Sequence, residues 1–171
     1  MQNGITNSIL TISFNHTNMN KDLFANYFNP EKIDEIVKNT KIECTYSEIF
    51  RFIKHSSNSP LTKQDFYPTI MEYNKPPFTM PSYEKQQKRD YTKFSTSCSD
   101  TIENLKALIE TIPTMKNCPK SCIAKGHTEK TLGFADEADA NNFGHIHYYL
   151  YDPCSFPEDT FDIIESVSEH D

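Results

Sequence analysis

The chain has no tryptophan, only four glycines among its 171 residues, and no lysine or arginine after Lys130. Each shortage excludes something. Isolated glycines cannot build the Gly-rich loops that cradle phosphates in dinucleotide-binding or P-loop proteins, so nucleotide binding through such a loop is excluded. The largest basic group is Lys85, Lys88, Arg89 and Lys93, too few charges to neutralise several phosphates, and direct nucleic-acid binding is not expected. No window approaches the roughly 20 apolar residues of a membrane span, and no basic stretch followed by an apolar run opens the chain. Five cysteines, Cys44, Cys98, Cys118, Cys122 and Cys154, are odd in number and unevenly spaced, a poor disulfide framework. These absences point to a soluble, cytoplasmic protein without membrane contact.

What is present begins with 12 Phe and 9 Tyr, large side chains that compensate by area for a hydrophobic share of only 36%. The length fits one domain, 1–171. Charge is divided unevenly. Residues 131–171 carry ten Asp and Glu and no Lys or Arg, whereas residues 1–130 carry 17 basic against 14 acidic side chains. Such asymmetry implies an acidic segment that folds back on a basic-leaning body or faces a basic partner.

Along the chain, Ile9, Leu10, Ile12 and Phe14 suggest a strand over 8–14. Asn20 then reads as the cap of a short helix with Leu23, Phe24, Tyr27 and Phe28 as its stripe. Asn29-Pro30 opens a helix through Ile33, Ile36 and Val37. Thr45 and Glu48 have capping-box spacing, which predicts a helix over 46–55 with Ile49, Phe50, Phe52 and Ile53 inward. Thr62 and Asp65 start another turn, broken by Pro68, and residues 70–73 read as a strand. Residues 74–90, Pro-rich and then charged, form an exposed loop.

In the second half, 91–96 reads as a strand and Asp100 with Glu103 as the capping box of a helix carrying Ile102, Leu105, Leu108, Ile109 and Ile112. A strand follows within 121–130, an acidic loop at 132–142, and a tail that is either a helix or an edge strand around 161–164. The densest strand-forming run is 144–153, read as the central strand. Period two sets His145, His147, Tyr149 and Tyr151 on one face and Ile146, Tyr148 and Leu150 on the other. The fold class is α+β, with a helical N-terminal half and a small, mainly antiparallel sheet with one packed helix in the C-terminal half.

Three constellations carry chemistry. His145 and His147 point the same way and, with Cys118, Cys122, His127 and Cys154, contain the donors of a structural zinc site, although the spacing matches no finger or ribbon and no cofactor is expected. Cys98, just before the helix at Asp100, stands where a helix end lowers a thiol pKa, although a buried free cysteine is the commoner reading. Phe94-Ser95-Thr96-Ser97 resembles the aromatic-Ser-Thr-Ser strand of ADP-ribosyltransferases, where the serine strand supports the nicotinamide pocket. The resemblance covers four residues. It implies an arginine on an earlier strand, for which only Arg51 and Arg89 exist, and a later Glu-x-Glu or Gln-x-Glu pair, which has no counterpart. The same residues also read as a strand end followed by a helix cap.

The leading expectation is a macromolecule-binding protein of the inhibitor or immunity type, not an enzyme. It would meet a protein partner with a basic surface through an acidic, aromatic C-terminal face: His145, His147, Tyr149 and Tyr151, with Asp136, Glu137 and Asp139 steering from the rim. The alternative is a small enzyme, ADP-ribosyltransferase-like or metal-dependent, whose pocket lies over 144–152 and uses Ser95, Cys98, His145 or His147.

Overall fold

In the computed structural model, which describes residues 21–40, 43–72 and 79–169, short helices alternate with six strands. In chain order they are α1 (Pro30–Asn39), β1 (Ile49–Ile53), α2 (Thr69–Glu72), α3 (Tyr83–Gln87) and β2 (Thr96–Ser99). Then come α4 (Ile102–Thr111), α5 (Pro113–Lys116), β3 (Lys120–Gly126), β4 (Gly133–Ala135), β5 (His145–Leu150) and β6 (Phe161–Glu169). The strands form one antiparallel sheet in the order β4-β5-β2-β1-β3-β6. This is the α+β class. No helix among the described residues is long and apolar enough to cross a membrane.

Local chemistry explains the helices that the sequence announced. Asn29 caps α1, its Oδ1 accepting from Glu31 N at 2.8 Å and Lys32 N at 3.2 Å, with Pro30 at the first helical position where no N–H is needed. α4 starts one residue later than Asp100 suggests. Thr101 is the cap, accepting from Asn104 N at 3.1 Å, while Leu105 and Ile109 form its buried stripe. Thr62 and Asp65 cap the expected single turn, Lys63–Phe66.

Several expectations are corrected. Residues 46–55 are not a helix: Ile49–Ile53 is β1, paired along its length with β3. Its apolar run fits helical spacing and also a strand covered on both faces, and periodicity cannot separate the two. β-branched and aromatic side chains favour the strand, and Glu48, instead of capping, meets Lys125 of β3 at 2.5 Å. The strand expected at 70–73 is the one-turn α2 up to Glu72. The strand expected over 91–96 is a 3-10 turn, Tyr91–Phe94, and β2 begins only at Thr96. The helix expected after Asn20 is one 3-10 turn, Lys21–Leu23, followed by turns that still bury Phe24 and Phe28.

The loop at 74–90 contains α3, which is anchored. Buried Gln86 accepts from Asn29 N at 2.8 Å and donates to Tyr27 O at 2.9 Å and Pro81 O at 2.6 Å. The strand expected over 8–14 and residues 74–78 lie outside the described residues. The acidic loop contains β4. The tail takes the edge-strand alternative, β6. β5 sits second from the sheet's end, and β2 and β1 are the central strands.

One face of the sheet carries Ile49, Ile53, Cys98, Cys122, Ala124, Ile146, Tyr148 and Leu150 under Tyr46, Phe66 and Phe156. The other face is covered in two parts. Leu105 and Ile109 of α4 pack on Phe50 and Ile123, while Phe24, Phe28, Ile33 and Ile36 pack with Phe134 and Tyr149. The second face therefore has a seam between two coverings.

Candidate functional site

Register places four polar side chains along that seam. Ser97 pairs with His147, Ser99 with His145, and Phe50 of β1 lies opposite Ser99, so period two sets Ser97, Ser99, His145 and His147 on one face. Ser97 is exposed, both histidines are half-buried, and Ser99 is fully buried.

A cavity of about 620 Å³ opens here, lined on its apolar side by Phe52 and by Leu105, Leu108, Ile112 and Met115 of α4 and its extension. The polar side is Arg51, Lys54, Thr69, Ser97, Ser99, Thr114, Asn142 and His145. The volume is ordinary for a small-molecule pocket. Among the described lining residues none is Asp or Glu, although the chain carries 24. Such a lining, with two cations, several hydroxyls and an apolar wall, suits an anionic ligand with a flat apolar part. Ser99 adds a specific demand. Its Oγ is buried without a hydrogen-bond partner, a state costing about 1–3 kcal/mol, and a ligand atom in the cavity would satisfy it only once the hydroxyl had turned toward the cavity.

Arg51 sits where the central strands part. β1 and β2 pair only at Phe50 and Ser99. Beyond that pair the Arg51 guanidinium bridges the gap, Nη1 donating to Ser97 O at 2.8 Å and Nε to Asp65 O at 2.5 Å. Arg51 shares the strand face of Ile49 and Ile53, borders the cavity from the gap between β1 and β2, and holds the two sides of that gap with charge-assisted bonds.

His147 lies behind His145, the rings edge to face with centroids 4.4 Å apart. Its Nδ1 meets Ser95 Oγ at 2.8 Å, and Ser95 Oγ also lies 2.7 Å from Thr92 O, to which it donates. Burial, reinforced by the neighbouring His145, lowers the His147 pKa to about 4; burial also lowers that of His145. Asp136 touches the same strip, its Oδ1 accepting from His147 N at 2.7 Å, and burial raises its carboxyl to about 7.

The structure brings together His145, His147, Asp136, Ser95 and Ser97, singles out Arg51 from the two arginines, and adds Ser99 and Asn142, which the sequence reading did not assign to a site. It places the other expected residues elsewhere. Tyr149 and Tyr151 are 1% and 9% exposed and belong to the core, so these two rings offer no surface to a partner. Glu137 and Asp139 are exposed on the loop before β5. Cys98 is buried and its thiol is pushed up to about 12, so a thiolate nucleophile is unavailable there. Buried Ser95, bonded on both sides, is a support and not a nucleophile. The proposed zinc donors do not assemble. Cys122 is in the core, Cys118 donates to Lys120 O, and His127 meets Glu129; among the described residues no three candidate ligands converge.

Arg51 was hidden by the helical reading of its surroundings. Its signal was an arginine inside a β-prone run, Ile49-Phe50-Arg51-Phe52-Ile53. Comparison with known proteins gives no match to any protein family, curated protein or solved structure.

Proposed function

We propose that this chain binds a nicotinamide dinucleotide such as NAD in the cavity beside β2, a reading suggested by the four-residue resemblance of Phe94-Ser95-Thr96-Ser97 to the serine strand of ADP-ribosyltransferases. Arg51 carries the reading. An arginine on a strand earlier than Phe94-Ser95-Thr96-Ser97 is what the resemblance calls for, and the Arg51 guanidinium donates to the Ser97 carbonyl at the wall of one cavity. The lack of Asp and Glu among the described lining residues, the apolar wall and the orphan Ser99 hydroxyl support a ligand with phosphates, a ring and hydrogen-bonding groups. Arg51, Lys54 and Ser99 are the residues that would hold it.

Calorimetric titration of the purified chain with NAD tests this. Binding at one ligand per chain is expected, weakened at least tenfold by Arg51→Gln and by Thr114→Trp, which fills the cavity from an exposed position. No heat of binding up to millimolar NAD overturns the proposal.

A second reading, a protein partner with a basic surface, is favoured by the exposure of Glu137 and Asp139 in a segment without any Lys or Arg. With Tyr149 and Tyr151 buried, it rests on the carboxylates and the half-exposed histidines. A folded Glu137→Lys, Asp139→Lys variant should lose a partner that the wild type retains; equal retention removes this reading.

A further inference from the structure

We infer that β6 is a docking edge for an extended, basic segment of another protein, which adds to the sheet as a further strand. This edge lies at the opposite end of the sheet from Glu137 and Asp139 and needs nothing of the cavity ligand. β6 is bonded on one side to β3, and among the described residues no strand lies beyond it. The outer side of such a strand presents a row of main-chain N–H and C=O groups able to pair with another strand. The other end of the sheet is closed differently: β4 spans only Gly133–Ala135, and Cys44 N donates to Ala135 O at 2.8 Å.

The surroundings of the edge select its occupant. A groove of about 480 Å³ lies between the 57–61 turn and the start of β6, lined by Pro60, Leu61, Phe161 and Ile163 with Asp159 beside them. Ile164 is 44% exposed and stands where β6 slips in register against β3, an apolar contact on the open edge. Asp159 and Asp162 are exposed and form no ion pair among the described residues. The lysines near them are engaged: Lys125, opposite Asp162 on β3, meets Glu48 at 2.5 Å, and Lys106 of α4 meets Glu165 at 2.8 Å. A second copy pairing along β6 would set these carboxylates against one another, and like charges across a strand pair are destabilising. The register slips and the carboxylates thus keep neutral or acidic strands off the edge. A segment with Lys or Arg at alternate positions escapes that repulsion. Its cations meet Asp162 and Glu165, which share one face of the sheet, while its intervening apolar side chains meet the groove on the face of Phe161 and Ile163.

The test uses the full, tag-free chain and a fluorescently labelled peptide of alternating Lys and Val, with anisotropy for affinity and amide hydrogen exchange for location. The expected result is saturable binding and slowed exchange of the β6 amides. An Asp159→Lys, Asp162→Lys variant should bind at least about tenfold more weakly, the scale of one or two ion pairs lost and turned repulsive. The same change of charge at exposed Glu31 and Glu84, on α1 and α3, should leave affinity within about twofold. A peptide N-methylated on alternate main-chain nitrogens keeps its charges, cannot pair as a strand, and should not bind. Equal binding of the methylated peptide would mean charge attraction without strand addition and overturns the inference. Absence of binding, or protection confined to residues away from β6, overturns it as well. A dimer whose β6 amides are protected without peptide would assign the edge to a second copy and overturn it in favour of self-association.

Discussion

Ser95 and His147 are joined by a hydrogen bond of 2.8 Å between Oγ and Nδ1, and the serine decides the tautomer of the histidine. A hydroxyl has one proton, and that of Ser95 is donated to Thr92 O at 2.7 Å. His147 Nδ1 must then carry the ring proton and donate, which leaves Nε2 as an acceptor. Ser95→Ala removes the constraint. Nitrogen-15 NMR of the histidine rings should show a single Nδ1–H tautomer for His147 in the wild type and a mixture in the variant. An unchanged ring spectrum would mean that Ser95 merely fills space.

Two adjacent groups should push stability in opposite directions across one pH range. His147 titrates at about 4 in the fold against an ordinary 6.5, so the unfolded chain binds more protons and stability falls as pH drops from about 6.5 to 4. Asp136 titrates at about 7 against 3.8, so the folded chain binds more protons and stability falls as pH rises across that range. Relative to wild type, His147→Gln should therefore gain stability as pH falls from about 6.5 to 4. Asp136→Asn should gain as pH rises from about 4 to 7. Each effect should be about 1–3 kcal/mol, allowing for solvent screening, and denaturant titrations at several pH values would measure it. Parallel pH profiles for all three proteins would contradict both assignments.

Gly144, just before His145, is the one glycine of the site strand whose backbone requires glycine. Its φ is +59°, and a Cβ would lie 1.8 Å from Asp100 Oδ1 and 2.7 Å from Asn104 Nδ2. Those two side chains are bonded to each other, and Asp100 N donates to Gly144 O at 3.0 Å, so the start of β5 is clamped to the start of α4. Gly144→Ala should cost about 2–4 kcal/mol, read as a lower denaturant midpoint, and should weaken NAD binding by moving His145. A midpoint within error of wild type would show that the clamp yields cheaply.

Local chemistry made part of this molecule legible. Asn29-Pro30 and the apolar stripe of α4 signal helices without tertiary help, and the alternation from His145 to Leu150 assigned both faces of β5 correctly. What stayed hidden depended on partners distant in sequence. Whether Ile49 to Ile53 is helix or strand is decided by β3, some 70 residues later. Whether Tyr149 and Tyr151 face water is decided by Phe24 and Phe28 folding over them. The cavity was invisible because its polar parts, Arg51, Ser99 and His145, come from three strands whose register no local pattern specifies.

Ser99 offers the sharpest separation between a structural and a binding role. Its hydroxyl is fully buried without a hydrogen-bond partner, so in the free protein it is a desolvated polar group with nothing in return. Replacing it with alanine removes that burden while keeping most of the volume, and Ser99→Ala should be more stable than wild type by about 1 kcal/mol. The same change should weaken NAD binding several-fold, because the cavity loses a donor and acceptor that the serine can turn toward it. Opposite signs for stability and affinity are what a residue kept for its ligand produces. A loss of stability on Ser99→Ala, measured by urea unfolding without ligand, would mean that the hydroxyl serves the fold, and would remove Ser99 from the site.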